Sequence, residues 1–387
     1  MESPAAVRRF APTALMLGNI VTGCAVLAPA GMLKELSEGL DVSVRSAGLL
    51  ITFGAAVLCV ASPVTAWLTS RFERRSLLAA TLAVLALANL ASAFAPDYAS
   101  LLALRIVMLA IGALYTPQAA GTAAMIVPES KRGSTIAYVF LGWSLAAAVG
   151  LPLVTLIAAR YGWRAAYGGI GTLGVVSFLL LMWRMPSGLP GTPVALRTWL
   201  DLLQNRLVLL LLLITTLYIA GQFVIFTYMG PLLSRLTGAS ADAISLVFAL
   251  YGVFGFLGVA FATRIVDSWG AYRVSLLFMA SVLAGTTGFA VTTGNYLLMA
   301  GSVAMWGLGF AAVNSMQQVR LVAAAPPLAS ASVSLNTSVL YIGQAIGSGV
   351  GGLLYGYDLL YETGYVGAAF VAAALLTVIA TRPKPAR

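Results

Sequence analysis

Twelve continuous apolar stretches, each long enough to cross a bilayer as a helix, fill almost all of this 387-residue chain. A hydrocarbon core about 30 Å thick needs roughly 20 such residues at about 1.5 Å of rise each. The spans read from the sequence are 10 to 32, 46 to 69, 76 to 95, 99 to 126, 134 to 158 and 164 to 183, followed by 207 to 231, 243 to 263, 274 to 293, 295 to 319, 329 to 354 and 363 to 381. Membrane strands would alternate apolar and polar residues over about ten positions. These runs do not alternate, so helices must satisfy their backbone inside lipid. With 60% hydrophobic and 9% charged residues and a mean hydropathy of +0.95, the chain is far from the soluble norm of about 25% charged. The fold class expected is all-α and polytopic.

Basic residues orient the spans. Arg8, Arg9, Arg71, Arg74, Arg75, Lys131, Arg132, Arg184, Arg197, Arg206, Arg264, Arg273, Arg320, Arg382, Lys384 and Arg387 fall on one side. Lys34, Arg45, Arg160, Arg164 and Arg235 fall on the other, and Arg105 lies within a span. The positive-inside bias places both termini in the cytoplasm. A signal-peptide reading competes at the N-terminus, where Arg8 and Arg9 precede an apolar run ending near Ala28, Pro29 and Ala30. That run is longer than a signal core, and its removal would leave eleven spans. The net charge of +10 is spread over short loops, as topology signals and contacts with anionic lipid. No nucleic-acid partner is expected. Cys24 and Cys59 lie mid-span and the chain has no histidine, so neither a disulfide framework nor a metal site is expected.

The chain repeats itself. Asp267 lies 197 positions beyond Ser70, Tyr296 lies 198 beyond Tyr98, and Gly347 lies 197 beyond Gly150. Six spans on each side argue for two parallel halves, residues 1–183 and 207–387, joined by a cytoplasmic linker, 184–206. That linker carries Pro186, Gly188, Pro190, Gly191 and Pro193.

Such a two-half bundle resembles the major facilitator superfamily. The family's loop between spans two and three reads Gly, three residues, Asp, Arg, any, Gly, Arg, Arg; here Ala66 to Ser70 is followed by Arg71, Phe72, Glu73, Arg74 and Arg75. The basic part is kept, while the acid and both glycines are replaced. The equivalent loop of the second half keeps Asp267, Gly270 and Arg273, with Ser268 at the arginine position. Leu101 to Arg105 looks like the start of the family's buried-arginine motif, with Met108 and Leu109 where glutamine and glycine usually follow. Gly142 through Gly150, Leu151 and Pro152 resembles the exporters' signature in span five. The run from Ser334 through Asn336, Gly343, Gln344, Gly347, Gly351 and Gly352 resembles span eleven of the twelve-span drug and sugar efflux branch. The resemblance implies export of a drug, sugar, nucleoside or base, usually against a proton gradient.

Each motif has a plainer physical reading. Arg71, Arg74 and Arg75 can anchor a helix end by charge alone, or form a latch that pairs with Asp267 and with helix C-termini, near Gly270 and Arg273. Gly150 and Pro152 can permit close helix packing, or bend span five where it must move. Arg105 begins about six residues into span four, so snorkelling is open to it. A charge at that depth more often marks a functional site, and it is expected to face a central cavity.

All twelve carboxylates fall in loops or at span ends. The stretch from Asn19 to Cys24, where many relatives carry an acid, has none. The pathway is therefore expected to be lined by neutral polar and aromatic groups, namely Asn19, Gln118, Tyr218, Gln222, Phe226, Trp306, Asn314, Asn336 and Gln344, with Arg105 beside them. Each could equally be an interhelical hydrogen bond or a core aromatic. No histidine base, carboxylate pair or phosphate-cradling loop is present, so no enzyme and no cofactor is expected. The expectation is an inner-membrane secondary transporter, a monomer, exporting a small neutral or anionic solute by alternating access. Protons are the expected coupling ion, with Asp41, Glu35 and Asp267 as carriers. A facilitative uniporter or importer, or a membrane sensor, are the alternatives.

Overall fold

The computed structural model describes residues 10–128, 131–191, 204–325 and 328–382, and no strand occurs among them. Glu2, Arg8, Arg9, Glu129, Pro193, Arg197, Asp201, Lys384 and Arg387 lie outside the described residues. The helices are α1 (Ala11–Gly31), α2 (Leu33–Gly39), α3 (Val44–Leu68), α4 (Arg74–Ser92), α5 (Tyr98–Gly112), α6 (Tyr115–Met125), α7 (Arg132–Leu145), α8 (Leu151–Tyr161) and α9 (Trp163–Arg184). They continue as α10 (Arg206–Phe226), α11 (Met229–Thr237), α12 (Ala241–Val291), α13 (Tyr296–Ala324), α14 (Ala329–Gly356) and α15 (Leu360–Ala380). Ten helices among the described residues are long and apolar enough to cross a membrane. The molecule is an all-helical polytopic membrane protein.

Helix occupies each expected span, and prolines and glycines explain where it departs from a straight rod. Span four breaks at Ala113 and Leu114, because Pro117 has no N–H for the carbonyl four residues back. Span five widens over Ala146–Gly150 into a π-helical turn, in which the Leu151 N–H reaches back five residues to Ala146. Pro152 follows at once, and the wider turn relieves its ring of the preceding turn's carbonyl. Spans eight and nine, together labelled α12, are two helices that meet at Gly270, whose φ of 78° and ψ of 148° are not helical.

The chain forms two compact units, Met1–Val42 with Val60–Val194 and Ser43–Cys59 with Ala195–Arg387. The second therefore takes in the first turns of α3, which the sequence places in the first half. Within that unit Gly48 lies beneath Tyr228, Thr52 is hydrogen-bonded to Ser348 at 2.9 Å, and Arg45 lies against Gly352 and Gly356.

In the first unit α1 packs against α7, α8 and α9. Gly142 and Gly150 leave no room for a Cβ against the Met16 carbonyl and the Cys24 sulfur. In the second unit α14 packs on α10 through Gly343, Gly347 and Gly351, each against a carbonyl, those of Thr216, Ala220 and Val224. Small residues four apart let backbones touch where lipid offers no hydrophobic drive. These contacts are the ones the packing reading of the glycines expects.

Candidate functional site

In the first unit Asn19 sits at a three-helix junction. Its Nδ2 donates to the Val139 carbonyl on α7 at 2.9 Å, and its Oδ1 accepts from Thr116 Oγ1 on α6 at 2.8 Å. Trp143 Nε1 on α7 donates to the same threonine oxygen at 3.0 Å. Thr116 and Trp143 are members the sequence reading missed. Gln118 is buried on α6.

Arg105 is 1% exposed, and its guanidinium is directed at α1. Nη1 donates to the Ala25 carbonyl at 2.9 Å and Nη2 to the Val26 carbonyl at 2.8 Å, with the Tyr167 hydroxyl alongside. The reason lies four residues on: Pro29 stands inside α1 and has no N–H for Ala25. A guanidinium at this depth costs about 3 kcal/mol, and a hydrogen bond from a charged donor contributes about 1.5 to 3 kcal/mol. Two such bonds offset the burial. Arg105 thus bonds a proline-interrupted helix through both of its terminal nitrogens.

The second unit holds a larger constellation. Gln222 on α10 donates from Nε2 to the Tyr218 carbonyl at 3.2 Å, and its Oε1 accepts from Trp306 Nε1 on α13. Phe226 meets Trp306 edge-on at 6.3 Å and Tyr251 at 5.0 Å; Tyr251 meets Trp306 at 5.3 Å and Phe310 at 5.4 Å. These aromatic pairs prefer tilted or edge-to-face arrangements because ring faces are negative and edges positive. The Tyr218 hydroxyl is buried without a hydrogen-bond partner. Tyr251, Phe310 and Phe248, which meets Phe226 edge-on at 5.6 Å, were not anticipated; in a helix apolar all round they carry no distinguishing signal.

A second polar junction joins α10, α13 and α14. Thr215 Oγ1 donates to Asn336 Oδ1 at 2.7 Å, and Asn336 Nδ2 donates to Asn314 Oδ1 at 3.1 Å. Gln344 is buried on α14.

The loop before α4 carries the expected gating arginines. Arg71 is exposed, Arg75 donates to the Met182 carbonyl, and the buried Arg74 gives its backbone N–H to the Leu189 carbonyl at 3.0 Å. Glu73 caps α4 by accepting from the Ser76 N–H at 2.7 Å, and its other oxygen accepts from Gly188 N–H at 3.0 Å. Partial desolvation of Glu73 is outweighed by these N–H donors, which hold its carboxyl below the usual carboxylate range. Gly191 lies so close to the Ser70 and Phe72 carbonyls that no side chain fits. The loop therefore grips the beginning of the linker. In the second unit Asp267, Gly270 and Arg273 are exposed. Among the expected proton carriers, Glu35 on α2 has its carboxyl pushed up by burial, partly offset by a backbone hydrogen bond and by Lys34.

Comparison with known proteins accords with this architecture. Residues 15–348 and 211–387 match the family model of the Major Facilitator Superfamily. The chain is 31% identical to the inner membrane transport protein YdhP of Escherichia coli strain K12, with 96% of each covered. It is 29% identical to the chloramphenicol efflux pump Rv0191 of Mycobacterium tuberculosis, covering 86% of this chain and 82% of that one. Among solved structures, a D-xylose-proton symporter matches with a TM-score of 0.76 at 15% identity, covering 96% and 97% of the two chains.

Proposed function

Because the chain belongs to the major facilitator superfamily, and so is a transporter of small molecules and not an enzyme, we propose that it exports a small neutral organic solute by alternating access. One observation carries this reading. The guanidinium buried at Arg105 is committed to the Ala25 and Val26 carbonyls, and no carboxylate lies within any span. A cationic solute would find no carboxylate within a span, and leaving it unpaired in a dry site costs several kcal/mol, on the order of 3 or more. The groups left to meet a solute are amides, hydroxyls and aromatic faces, which suit an uncharged molecule with an apolar side. Of the neutral and anionic solutes expected, the neutral one is preferred here because the terminal nitrogens of Arg105 are engaged by the Ala25 and Val26 carbonyls.

Export and an inner-membrane location are supported by the likeness to YdhP and to the chloramphenicol pump. The protein acts as a twelve-span monomer with both termini in the cytoplasm. Protons drive it, with Glu35 as the carrier, since coupling needs a group whose proton occupancy differs between the facing states.

Everted membrane vesicles test this with chloramphenicol as probe. Uptake is expected under an inside-acid gradient and is expected to stop when the gradient is collapsed. Uptake that persists unchanged would remove proton coupling. It would favour facilitated diffusion, a second reading that the absence of an acid within the spans supports, and one that counterflow without a gradient measures. If neither flux nor thermal stabilisation appears with chloramphenicol, sugars or nucleosides, the transport reading fails.

A further inference from the structure

The two polar junctions occupy matching places in the repeat. Thr215 lies 196 positions beyond Asn19, Asn314 lies 198 beyond Thr116, and Asn336 lies 197 beyond Val139. Each junction is described within its own unit, and in each the first, fourth and fifth spans of a half meet through hydrogen bonds. Their chemistry has diverged. In the first unit the network closes on itself: Thr116 accepts from Trp143 and donates to Asn19, and Asn19 donates to a backbone carbonyl. The Thr116 proton is committed inward.

In the second unit the chain of bonds has a direction. Thr215 is fully buried and its hydroxyl has one proton, placed 2.7 Å from Asn336 Oδ1 and 3.4 Å from the Leu211 carbonyl. The shorter contact takes it. With Oδ1 so occupied, Asn336, itself 1% exposed, must present Nδ2 to Asn314, which fixes Asn314 with its oxygen inward. The Asn314 NH2 group is then turned away from the junction, on a side chain that is partly exposed, and no hydrogen bond between described residues takes it. The base beneath it is rigid, because α14 packs on α10 through Gly343 and Gly347 with no space for a Cβ.

We infer that Asn314 is a one-way hydrogen-bond donor to the transported solute, with Thr215 and Asn336 as positioning residues that set its polarity. This rests on the reading that the chain transports a neutral solute. The ligand class follows from the donor: an uncharged molecule bearing a strong acceptor oxygen, such as an amide carbonyl or a nitro group. A solute offering only donors in that position would leave the amide group unpaired and be rejected.

Purified full-length protein in proteoliposomes, with chloramphenicol as the probe in counterflow, tests the inference. Asn314→Asp keeps the size and replaces the donor with acceptors. It is expected to raise KM about tenfold, the worth of a hydrogen bond, with Vmax and melting temperature little changed. Thr215→Val removes the proton that orients Asn336, lets both amides turn round, and is expected to raise KM similarly. Thr215→Ser is expected to restore it. Normal KM in Asn314→Asp would overturn the inference, as would Thr215→Val lowering melting temperature and Vmax while leaving KM alone, the mark of a structural bond. Wild-type protein that neither transports nor is stabilised by chloramphenicol, sugars or nucleosides would overturn the neutral-solute reading first, and the inference with it. Wild-type transport with an indifferent Asn314 would overturn the inference alone.

Discussion

The two loops that bear the family's signature differ most at a pair of equivalent positions. Gly270 lies 197 residues beyond Glu73. At Gly270 the backbone has φ 78° and ψ 148°, a region open to glycine and costly for anything else. At Glu73 φ is −60° and ψ 131°, ordinary extended backbone. Both residues turn the chain from one helix to the next. One does it with a conformation, and so must remain glycine. The other is released from that need and carries a carboxylate that caps α4 and grips Gly188. A departure from a motif is thus read best by asking what the backbone there requires.

That contrast can be broken or sharpened in descending order of effect. Gly270→Ala is expected to lower stability by about 1 to 3 kcal/mol, seen as a drop in melting temperature in detergent. No heavy atom lies within 4 Å of where its Cβ would be, so the loss would be conformational and not steric; an unchanged melting temperature would refute the comparison. Glu73→Ala is expected to lose about 0.5 to 2 kcal/mol with the cap. Because the Glu73 carboxyl is held low, the contribution of its charge is present above the usual carboxylate range and is lost as pH falls through the lowered value. A Glu73→Gln variant should accordingly differ from wild type most at neutral pH and converge with it in acid.

Gly191→Ala has the opposite cause, since its side chain would meet the Ser70 carbonyl. It is expected to release the beginning of the linker, giving faster limited proteolysis near residues 186–191 with little change in melting temperature. The smallest effect is expected at Glu35. Its carboxyl is raised by burial, so the fold loses stability as pH rises from the unfolded value through the raised one. Glu35→Gln should therefore melt slightly higher at neutral pH and equal wild type at low pH; a lower melting point at neutral pH would show that its charge is stabilising.

Spans and their ends were legible because lipid imposes a length and a composition on each helix. Gly150 and Gly347 were legible as equivalents, since close packing leaves glycine little alternative. Arg105 stood out as a charge in an apolar run, yet its partner did not. The carbonyl it holds is exposed by Pro29, and nothing in the spacing of residues 29 and 105 says that α5 crosses α1 there. Tyr251, Phe248 and Phe310 escaped notice for a related reason. Inside a membrane the inward and outward faces of a helix are both apolar, so the periodicity that marks a soluble core is absent. Asn314 and Asn336 were recognised as polar, but their direction of donation depends on Thr215, which reads in sequence as an ordinary mid-helix threonine.

The wide turn at Ala146–Gly150 has one further consequence. It holds one residue more than a regular winding would, and a single residue is worth about 100° of azimuth. Losing any one of Ala146, Ala147 or Ala148 would leave the hydropathy profile almost as it was. It would nonetheless swing everything after it around the axis, taking Leu151 and Thr155 from their seat on Gly31. The lipid would accept such a deletion and the neighbouring helix would not, so the phase of this segment is kept by a count of residues that no scale of polarity can see.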